Sequence, residues 1–183
     1  MIRRKLLILI FAVFVFTLFT GKLFAVLVTI DADLNSVSPI YYDANSSPPY
    51  YPVPLDTGLL LNSGDFLEIN AAGLWSNAPP AYNLIFGPDG NPNENIAAGY
   101  PGAGSPVASL LGKIGSSNYF FIGSNYLNYV SQSGVLYLGF NDTDFGNNTG
   151  SIQAEINIVP SIPEPSSLFL FGLSLFGFFL RTK

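Results

Sequence analysis

Apolar and polar residues alternate along several short stretches in the middle of the chain. In SIQAEINI, residues 151–158, every second side chain is Ile or Ala, and the side chains between them are polar. This period of two is typical of a strand that buries one face. In GVLYLGF, residues 134–140, both faces are apolar, which indicates a central strand. With the Gly, Pro, Asn and Ser clusters between them, such patterns predict eight short strands, at residues 27–31, 58–61, 65–73, 82–86, 107–114, 119–122, 134–140 and 151–158.

No stretch between residues 26 and 160 repeats its apolar residues every 3.6 positions, so this interval is predicted to be all-β. Eight short strands favour a small jelly roll or β-sandwich of two antiparallel sheets. Residues 35–54 interrupt the pattern with five prolines and four tyrosines, which predicts a long loop. The tyrosines are either an aromatic platform for a sugar or part of a loop packed on the edge of the sandwich, and the sequence leaves both open.

The first 25 residues have the pattern of a signal peptide. Three basic residues precede an apolar run of fourteen residues, 6–19. This is the length of a signal-peptide core and is short for a membrane span. An uncleaved N-terminal anchor is the alternative. We therefore predict export, with an N-terminal signal helix in residues 1–25 ahead of a domain at residues 26–160.

A second apolar segment ends the chain, at residues 161–183. Pro163 and Pro165 stop any strand that precedes them, and residues 166–180 carry no charge before the basic end that begins at Arg181. Fifteen helical residues reach about 22 Å, short of the roughly 30 Å hydrocarbon core of a bilayer. The pattern predicts a short C-terminal transmembrane helix whose basic end stays in the cytoplasm, with the domain outside.

Composition narrows the classes of partner. Residues 26–160 contain one basic residue, Lys113, and eleven acidic residues, so their formal charge is −10. Such a domain repels phosphate backbones, which makes nucleic acid a poor partner, and it suits cations. The chain has no Cys and no His. This composition excludes disulfides, thiolate or imidazole metal ligands, Cys nucleophiles and the usual Ser–His–Asp triad.

The candidate chemistry lies in NDTDFGNNTGS, residues 141–151, between two predicted strands. Asp142, Asp144, Asn147 and Asn148 all carry side-chain oxygens, and carboxylates and carbonyls are the ligands that Ca²⁺ prefers. The spacing is not that of an EF-hand, because the downstream Glu is missing. Asn and Asp are also common in plain hairpin turns, where they bond their own backbone. Composition alone leaves both a calcium site and a turn open.

An enzyme is the less favoured class. A glycoside hydrolase would need two carboxylates on either side of the scissile bond. Asp142 and Asp144 are close in sequence, but their loop pairs them with asparagines, and no other acidic pair stands out. We therefore predict that the protein is not an enzyme.

The tail, IPEPSSLFLFGLSLFGFFLRTK, closely resembles the PEP-CTERM sorting signal of Gram-negative bacteria. The matching parts are Pro163, Glu164 and Pro165, the Ser pair that follows, the apolar segment punctuated by Gly, and the basic end at Arg181. The resemblance implies processing by an exosortase, transient anchoring in the inner membrane, and a final place at the cell surface or in the extracellular matrix.

Residues 56–158 resemble the PA-IL-type galactose-binding lectins, which are calcium-dependent jelly-roll sandwiches. The matching stretches occur in the family's order: TGLLLNSGDFLEINAAGLWS, FGPDG, LLGKIG and LYLGFNDTDFGNNTGS. The resemblance implies a surface or matrix protein that binds carbohydrate, such as an exopolysaccharide, through a calcium ion. The alternative is a structural matrix or biofilm protein in which calcium only stabilises the fold.

The resemblance also implies roles for individual residues. Asp142 would bind calcium through its carboxylate, and Asn147 and Asn148 would bind it through side-chain carbonyl oxygens. Backbone carbonyls would come from Asn77 and Asp144.

A sugar would complete the calcium shell with two hydroxyls, helped by Asp142 and Asn147. The loop after Asp142 is shorter than in the family, and the family's sugar-contacting His has no counterpart. Residues 87–102, GPDGNPNENIAAGYPG, occupy the equivalent region and put Glu94 or Asn95 near the sugar.

Overall fold

The computed structural model describes residues 24–161. The predicted C-terminal helix and all but the last two residues of the predicted signal peptide lie outside this range. Within the described range, no helix combines the length and apolarity that a membrane span requires.

Two antiparallel four-stranded sheets pack into a sandwich, which confirms the predicted all-β fold. The strands are β1 Phe24–Asp31, β2 Leu55–Leu61, β3 Phe66–Ser76, β4 Leu110–Ile114, β5 Phe120–Phe121, β6 Asn125–Tyr129, β7 Gly134–Phe140 and β8 Thr149–Val159. The strand order is β1-β8-β3-β6 in the first sheet and β2-β7-β4-β5 in the second.

The core lies between the sheets and is built from the alternating apolar residues. Ile152, Ala154 and Ile156 of β8 are fully buried, whereas the polar residues at 151, 153 and 155 are exposed. They share one buried cluster with Leu136 and Leu138 of β7. The period of two that predicts β8 is therefore the period with which this strand faces the core.

The two ends of the sandwich carry different features. At the upper end, β3 stops at Ser76, β7 stops at Phe140 and β8 begins at Thr149, which pairs with Ser76. At the lower end, β1 begins at Phe24 and β8 stops at Val159. The loop that joins β7 to β8 therefore lies about 35 Å along β8 from the place where the chain leaves the domain.

Seven of the eight predicted stretches overlap strands, but the prediction for residues 82–86 is wrong. A single 3₁₀ turn, Pro80–Tyr82, precedes Asn83, whose φ is 49°. Only Phe86 pairs, in an isolated bridge with Trp75. Proline lacks the N–H that a sheet ladder needs, and a left-handed residue breaks the extended backbone.

Strand β6 has no clear pattern in the sequence. Its five residues, NYLNY, include Leu127 and Tyr129, which are 58% and 69% exposed. It pairs only with β3, at the edge of the first sheet. An edge strand that buries so little does not show the alternation on which a strand prediction depends.

Gly73 allows β3 and β8 to pass each other closely. Its φ is +133°, and a Cβ at this position would lie 2.8 Å from both the Ile152 Cα and the Ser151 carbonyl oxygen. A side chain would therefore clash with the backbone of the neighbouring strand.

We predict that Gly73→Ala lowers the free energy of unfolding by about 2–4 kcal/mol, because it adds both backbone strain and overpacking. Gly87→Ala is the matched control, since a Cβ there meets nothing within 4 Å. Chemical denaturation of both variants measures the difference. Equal stability of the two variants would contradict the close approach of β3 and β8.

Candidate functional site

The loop between β7 and β8, residues 141–148, is held by the long loop that follows β1. The Phe145 N–H donates to the Ile40 carbonyl at 2.8 Å, and the Phe145 carbonyl accepts from the Tyr42 N–H at 2.7 Å. This exchange pairs the two loops as a short piece of ladder, so the loop 141–148 does not depend on its own turn alone for its shape.

Two side chains hold the backbone on either side of Phe145. Ser38 Oγ donates to the Thr143 carbonyl at 2.6 Å, and Asp33 Oδ1 accepts from the Gly146 N–H at 2.7 Å. Because these contacts order the loop within the folded protein, less conformational entropy remains to be lost when a ligand binds.

Phe145 is fully buried under the tyrosine-rich segment. The ring centroids of Tyr41, Tyr50 and Tyr51 lie 5.2, 6.1 and 6.2 Å from its own. These three tyrosines therefore pack on the end of the sandwich, which is one of the two interpretations that the sequence leaves open. The fourth, Tyr42, is 52% exposed and borders a pocket.

Among residues 24–161, five buried side-chain oxygens at the upper end have no hydrogen-bond partner: Asn77 Oδ1, Asn141 Oδ1, Asp142 Oδ2, Asn147 Oδ1 and Asn148 Oδ1. The other carboxylate oxygen of Asp142 accepts from the Thr143 N–H at 2.7 Å. Asn148 Nδ2 lies 3.4 Å from the carbonyls of Ala32 and Asp144. A buried oxygen without a partner costs about 1–3 kcal/mol. All five are hydrogen-bond acceptors, so a bound cation or donor group would remove this cost.

Asn141, directly before Asp142, fixes the backbone at the end of β7. Its N–H donates to the Ser109 carbonyl, and its own carbonyl accepts from the Ala108 N–H. Its side-chain Nδ2 donates to the Pro106 carbonyl at 2.8 Å. The Asp142 carboxylate therefore extends from a backbone that is bonded on both sides.

Three of the residues with unpaired oxygens, Asn77, Asp142 and Asn147, line a pocket of about 330 Å³. Of the five residues predicted as metal ligands, Asn77, Asp142, Asp144 and Asn147 line this pocket, and Asn148 contacts Asp144. The structure thus brings together residues that lie 65 positions or more apart in the chain. The remaining lining residues are Tyr42, Ala78, Pro79, Tyr82, Leu84 and Thr143.

Asn77 has a feature that the sequence does not show. The family resemblance assigns its backbone carbonyl to the metal, whereas the structure leaves its side-chain oxygen buried and unpaired. Asn77 therefore offers a second oxygen on the same residue.

Glu94 and Asn95 lie on a separate loop and are absent from the walls of this pocket. The Glu94 carbonyl accepts from the Val107 N–H at 2.9 Å, and Asn95 pairs with Pro106 in an isolated bridge. Both side chains are exposed.

Two of the exposed side chains at the pocket, Tyr82 and Leu84, are ones that sequence reasoning missed, whereas Tyr42 belongs to the loop that the sequence offers as a possible aromatic platform. Tyr42, Tyr82 and Leu84 are 52%, 66% and 44% exposed. The prediction of a strand at 82–86 hid Tyr82 and Leu84, because a strand would have placed alternate side chains in the core. The pair of prolines before Tyr82 was the available signal for a turn.

Burial dominates the electrostatics of the pocket. It raises the pKa of Asp142 to about 7, and the neighbouring charge of Asp144 adds to the effect. Burial also raises the pKa of Asp144. Both carboxylates are unfavourable as anions unless a positive charge joins them.

Carboxylates are few at this site. No cluster of three or more Asp, Glu, His or Cys side chains suited to a metal occurs within residues 24–161. Any cation held here would therefore depend on amide and backbone oxygens around one or two carboxylates, a donor set that Ca²⁺ accepts.

Comparison with known families assigns the domain. The family described as PA-IL-like protein matches residues 54–161. The chain belongs to the PA-IL-like family. The PEP-CTERM protein-sorting motif matches residues 161–183. This PA-IL-like chain is therefore a secreted, lectin-like protein that carries a sorting signal for the cell surface or the extracellular space.

A solved structure supports the fold of the PA-IL-like domain. The domain is similar to the "EclA N-terminal domain; PllA-like lectin", with 20% sequence identity and a TM-score of 0.52. The similarity covers 76% of this chain and 99% of the other. No protein of curated function gives a significant match.

We predict that the metal-free protein loses stability as the pH rises from about 4 to 7. The folded-state pKa of Asp142 lies near 7, above the usual value of about 3.9, so the folded state binds this proton more tightly than the unfolded state. The loss approaches about 4 kcal/mol and levels off above pH 7.

Melting temperatures in EDTA between pH 4 and pH 8 measure this slope. Asp142→Asn cannot titrate at this position, so the variant should show a clearly flatter profile. Parallel profiles for the two proteins would show that Asp142 is not the buried acid responsible.

Proposed function

We propose that the pocket at the upper end binds a calcium ion and, through it, the hydroxyl groups of a glycan. The observation that carries the proposal is the group of buried, unpaired oxygens on Asn77, Asp142, Asn147 and Asn148. Calcium takes six to eight oxygen ligands in flexible geometry. These side chains, with the backbone carbonyls of Asn77 and Asp144, supply a fitting donor set.

The chemistry of the donors favours calcium over other metals. The chain has no His or Cys, so the nitrogen and sulfur ligands that zinc and copper prefer are missing. Magnesium requires a smaller, near-octahedral shell and keeps several waters. The raised pKa of Asp142 also supports a divalent cation here, because such a cation stabilises the anion that burial disfavours.

A glycan is the proposed partner because the pocket combines metal-binding oxygens with exposed rings. Asp142 and Asn147 would each serve both the metal and a sugar hydroxyl. Tyr42 and Tyr82 line the same pocket and are exposed, so they would contact the apolar faces of the sugar. Glu94 and Asn95, which the family resemblance assigns to the sugar, would serve contacts beyond the pocket wall.

The second candidate is a structural protein in which calcium only stabilises the loop. The contacts of Asp33 and Ser38 with the loop favour it, because they tie the site to the rest of the fold. In either case we propose no catalysis, since the two carboxylates of the pocket lie within one loop and no opposing acid lines it.

A separate proposal concerns the sorting signal at residues 161–183. We propose that an exosortase-type enzyme processes the chain near Pro163, Glu164 and Pro165 after transient anchoring of the segment in the inner membrane. Intact-mass measurement of protein extracted from the cell surface tests this prediction. The mature protein should lack Arg181, and a mass that includes Arg181 and Lys183 would contradict processing.

Asp142→Asn and Asn147→Ala separate the two roles of the site. Asp142→Asn removes a full charge next to a divalent ion and should abolish calcium and glycan binding together. Asn147→Ala removes one neutral oxygen. It should leave measurable calcium binding and weaken the free energy of glycan binding by about 1–3 kcal/mol. Asn157→Ala is the matched control, because its buried oxygen is also unpaired but belongs to the lower part of β8.

Melting curves with calcium, magnesium or EDTA, together with a glycan array, measure these effects. A hundredfold excess of calcium over its dissociation constant stabilises by about 2.7 kcal/mol, which corresponds to about 5–10 °C in a protein of this size. Magnesium should restore less. Stabilisation by calcium without glycan binding would favour the structural candidate. A melting temperature that EDTA does not change would refute the proposed calcium site.

A further inference from the structure

A second cavity, of about 500 Å³, opens between the two sheets at their common edge. The edge strands β5 and β6 border it, and the inward-facing residues Leu67 and Ile114 form part of its wall. Leu67 lies near the start of β3, and Asn77 of the calcium pocket follows the end of β3. Ten residues of extended chain separate them by about 30 Å. This edge groove is therefore distinct from the site at the upper end.

The wall of the edge groove is aromatic and polar but carries no charge. Tyr119, Phe120 and Tyr126 contribute three rings, Tyr129 borders the groove at the end of β6, and the amides of Asn118, Asn128 and Gln132 contribute hydrogen-bonding groups. No Asp, Glu, Lys or Arg is among its lining residues, although the domain carries eleven acids. The groove is a neutral region on an acidic molecule.

The rings are held in place before any ligand binds. The Phe120 and Tyr126 centroids lie 5.2 Å apart, and Lys113 Nζ lies 5.5 Å from the centroid of the Tyr119 ring. Asn128 Oδ1 accepts from the Tyr129 N–H at 2.8 Å. The groove rings of Tyr119 and Tyr126 nevertheless remain partly exposed. A large ring that is fixed at one edge and open to solvent is suited to contact with a ligand.

We propose that the edge groove binds a neutral saccharide chain, independently of calcium. Sugar rings present apolar C–H faces that fit aromatic rings, and their hydroxyls are both donors and acceptors, as side-chain amides are. A cation finds no carboxylate in this wall. No base lines the groove itself, since Lys113 Nζ contacts the ring of Tyr119 from outside the lining, and an anion would meet the net negative field of the domain. A neutral polyhydroxyl ligand is the class that matches all three properties.

This second site changes what the molecule does with glycans. One site would depend on calcium and the other would not, and the two lie at separated places on one rigid sandwich. A single chain would therefore bridge two glycan chains, and chelation would release only one of them. The edge-groove proposal stands on its own contacts and does not require the calcium site.

The test is calorimetry of the full chain in EDTA, in a detergent without a sugar headgroup. The probes are neutral linear hexasaccharides of glucose, mannose, galactose and xylose. We expect at least one to bind in EDTA. Tyr119→Ala should weaken this binding at least about tenfold, whereas Tyr119→Phe, which keeps the ring, should retain it. Tyr51→Ala is the matched control, because Tyr51 is 72% exposed and packs at the upper end.

The possible results are distinguishable. If no hexasaccharide binds in EDTA, the edge groove is not a saccharide site, whether or not calcium-dependent glycan binding persists. Equal weakening by Tyr119→Ala and Tyr51→Ala would also overturn the proposal, as would binding of a neutral extended peptide in place of every saccharide. Loss of calcium-dependent binding alone would refute the proposed function and leave the edge groove intact.

Discussion

One unfavourable contribution to the free energy of folding dominates the upper end of the molecule. Several side-chain oxygens are buried there without a hydrogen-bond partner. Asp142 is 3% exposed, and burial shifts its pKa to about 7. Asn147 and Asn148 add further buried oxygens without partners. Such groups persist only where the surrounding structure holds them, because the loop would otherwise turn them to water. A cation would convert this cost into binding energy.

The scaffold that holds these oxygens joins both sheets. Asn77 follows β3 of the first sheet and Asp142 follows β7 of the second, so their separation depends on where the two strands end. Trp75 fixes this relation: its ring packs edge-on against Phe140 at 4.6 Å, and its Nε1–H donates to the Ala108 carbonyl at 2.8 Å. The pocket is thus a consequence of how the sandwich closes at its upper end.

The alternation of apolar and polar residues along the sequence predicted the strands whose side chains follow it. The alternation in β8 and the apolar run in β7 correspond to the observed strands, and the composition of the loop between them identified Asp142 as a candidate. The contact of Asp33 with Gly146 spans 113 positions, and no short stretch of sequence records such a contact. The exposed position of Tyr82 at the pocket was missed because the apparent period of two was given more weight than the two prolines before it.

The central claim is that the oxygens of Asp142 and its neighbours form a calcium site. Isothermal calorimetry of the full chain, first stripped of metal, titrated with Ca²⁺ at pH 7.5 tests it most directly. The account predicts one calcium ion bound per chain, with release of protons, because the raised pKa of Asp142 leaves part of this carboxyl protonated until the metal arrives. An absence of binding at millimolar calcium would contradict it and leave the loop 141–148 as a turn with an unexplained buried acid.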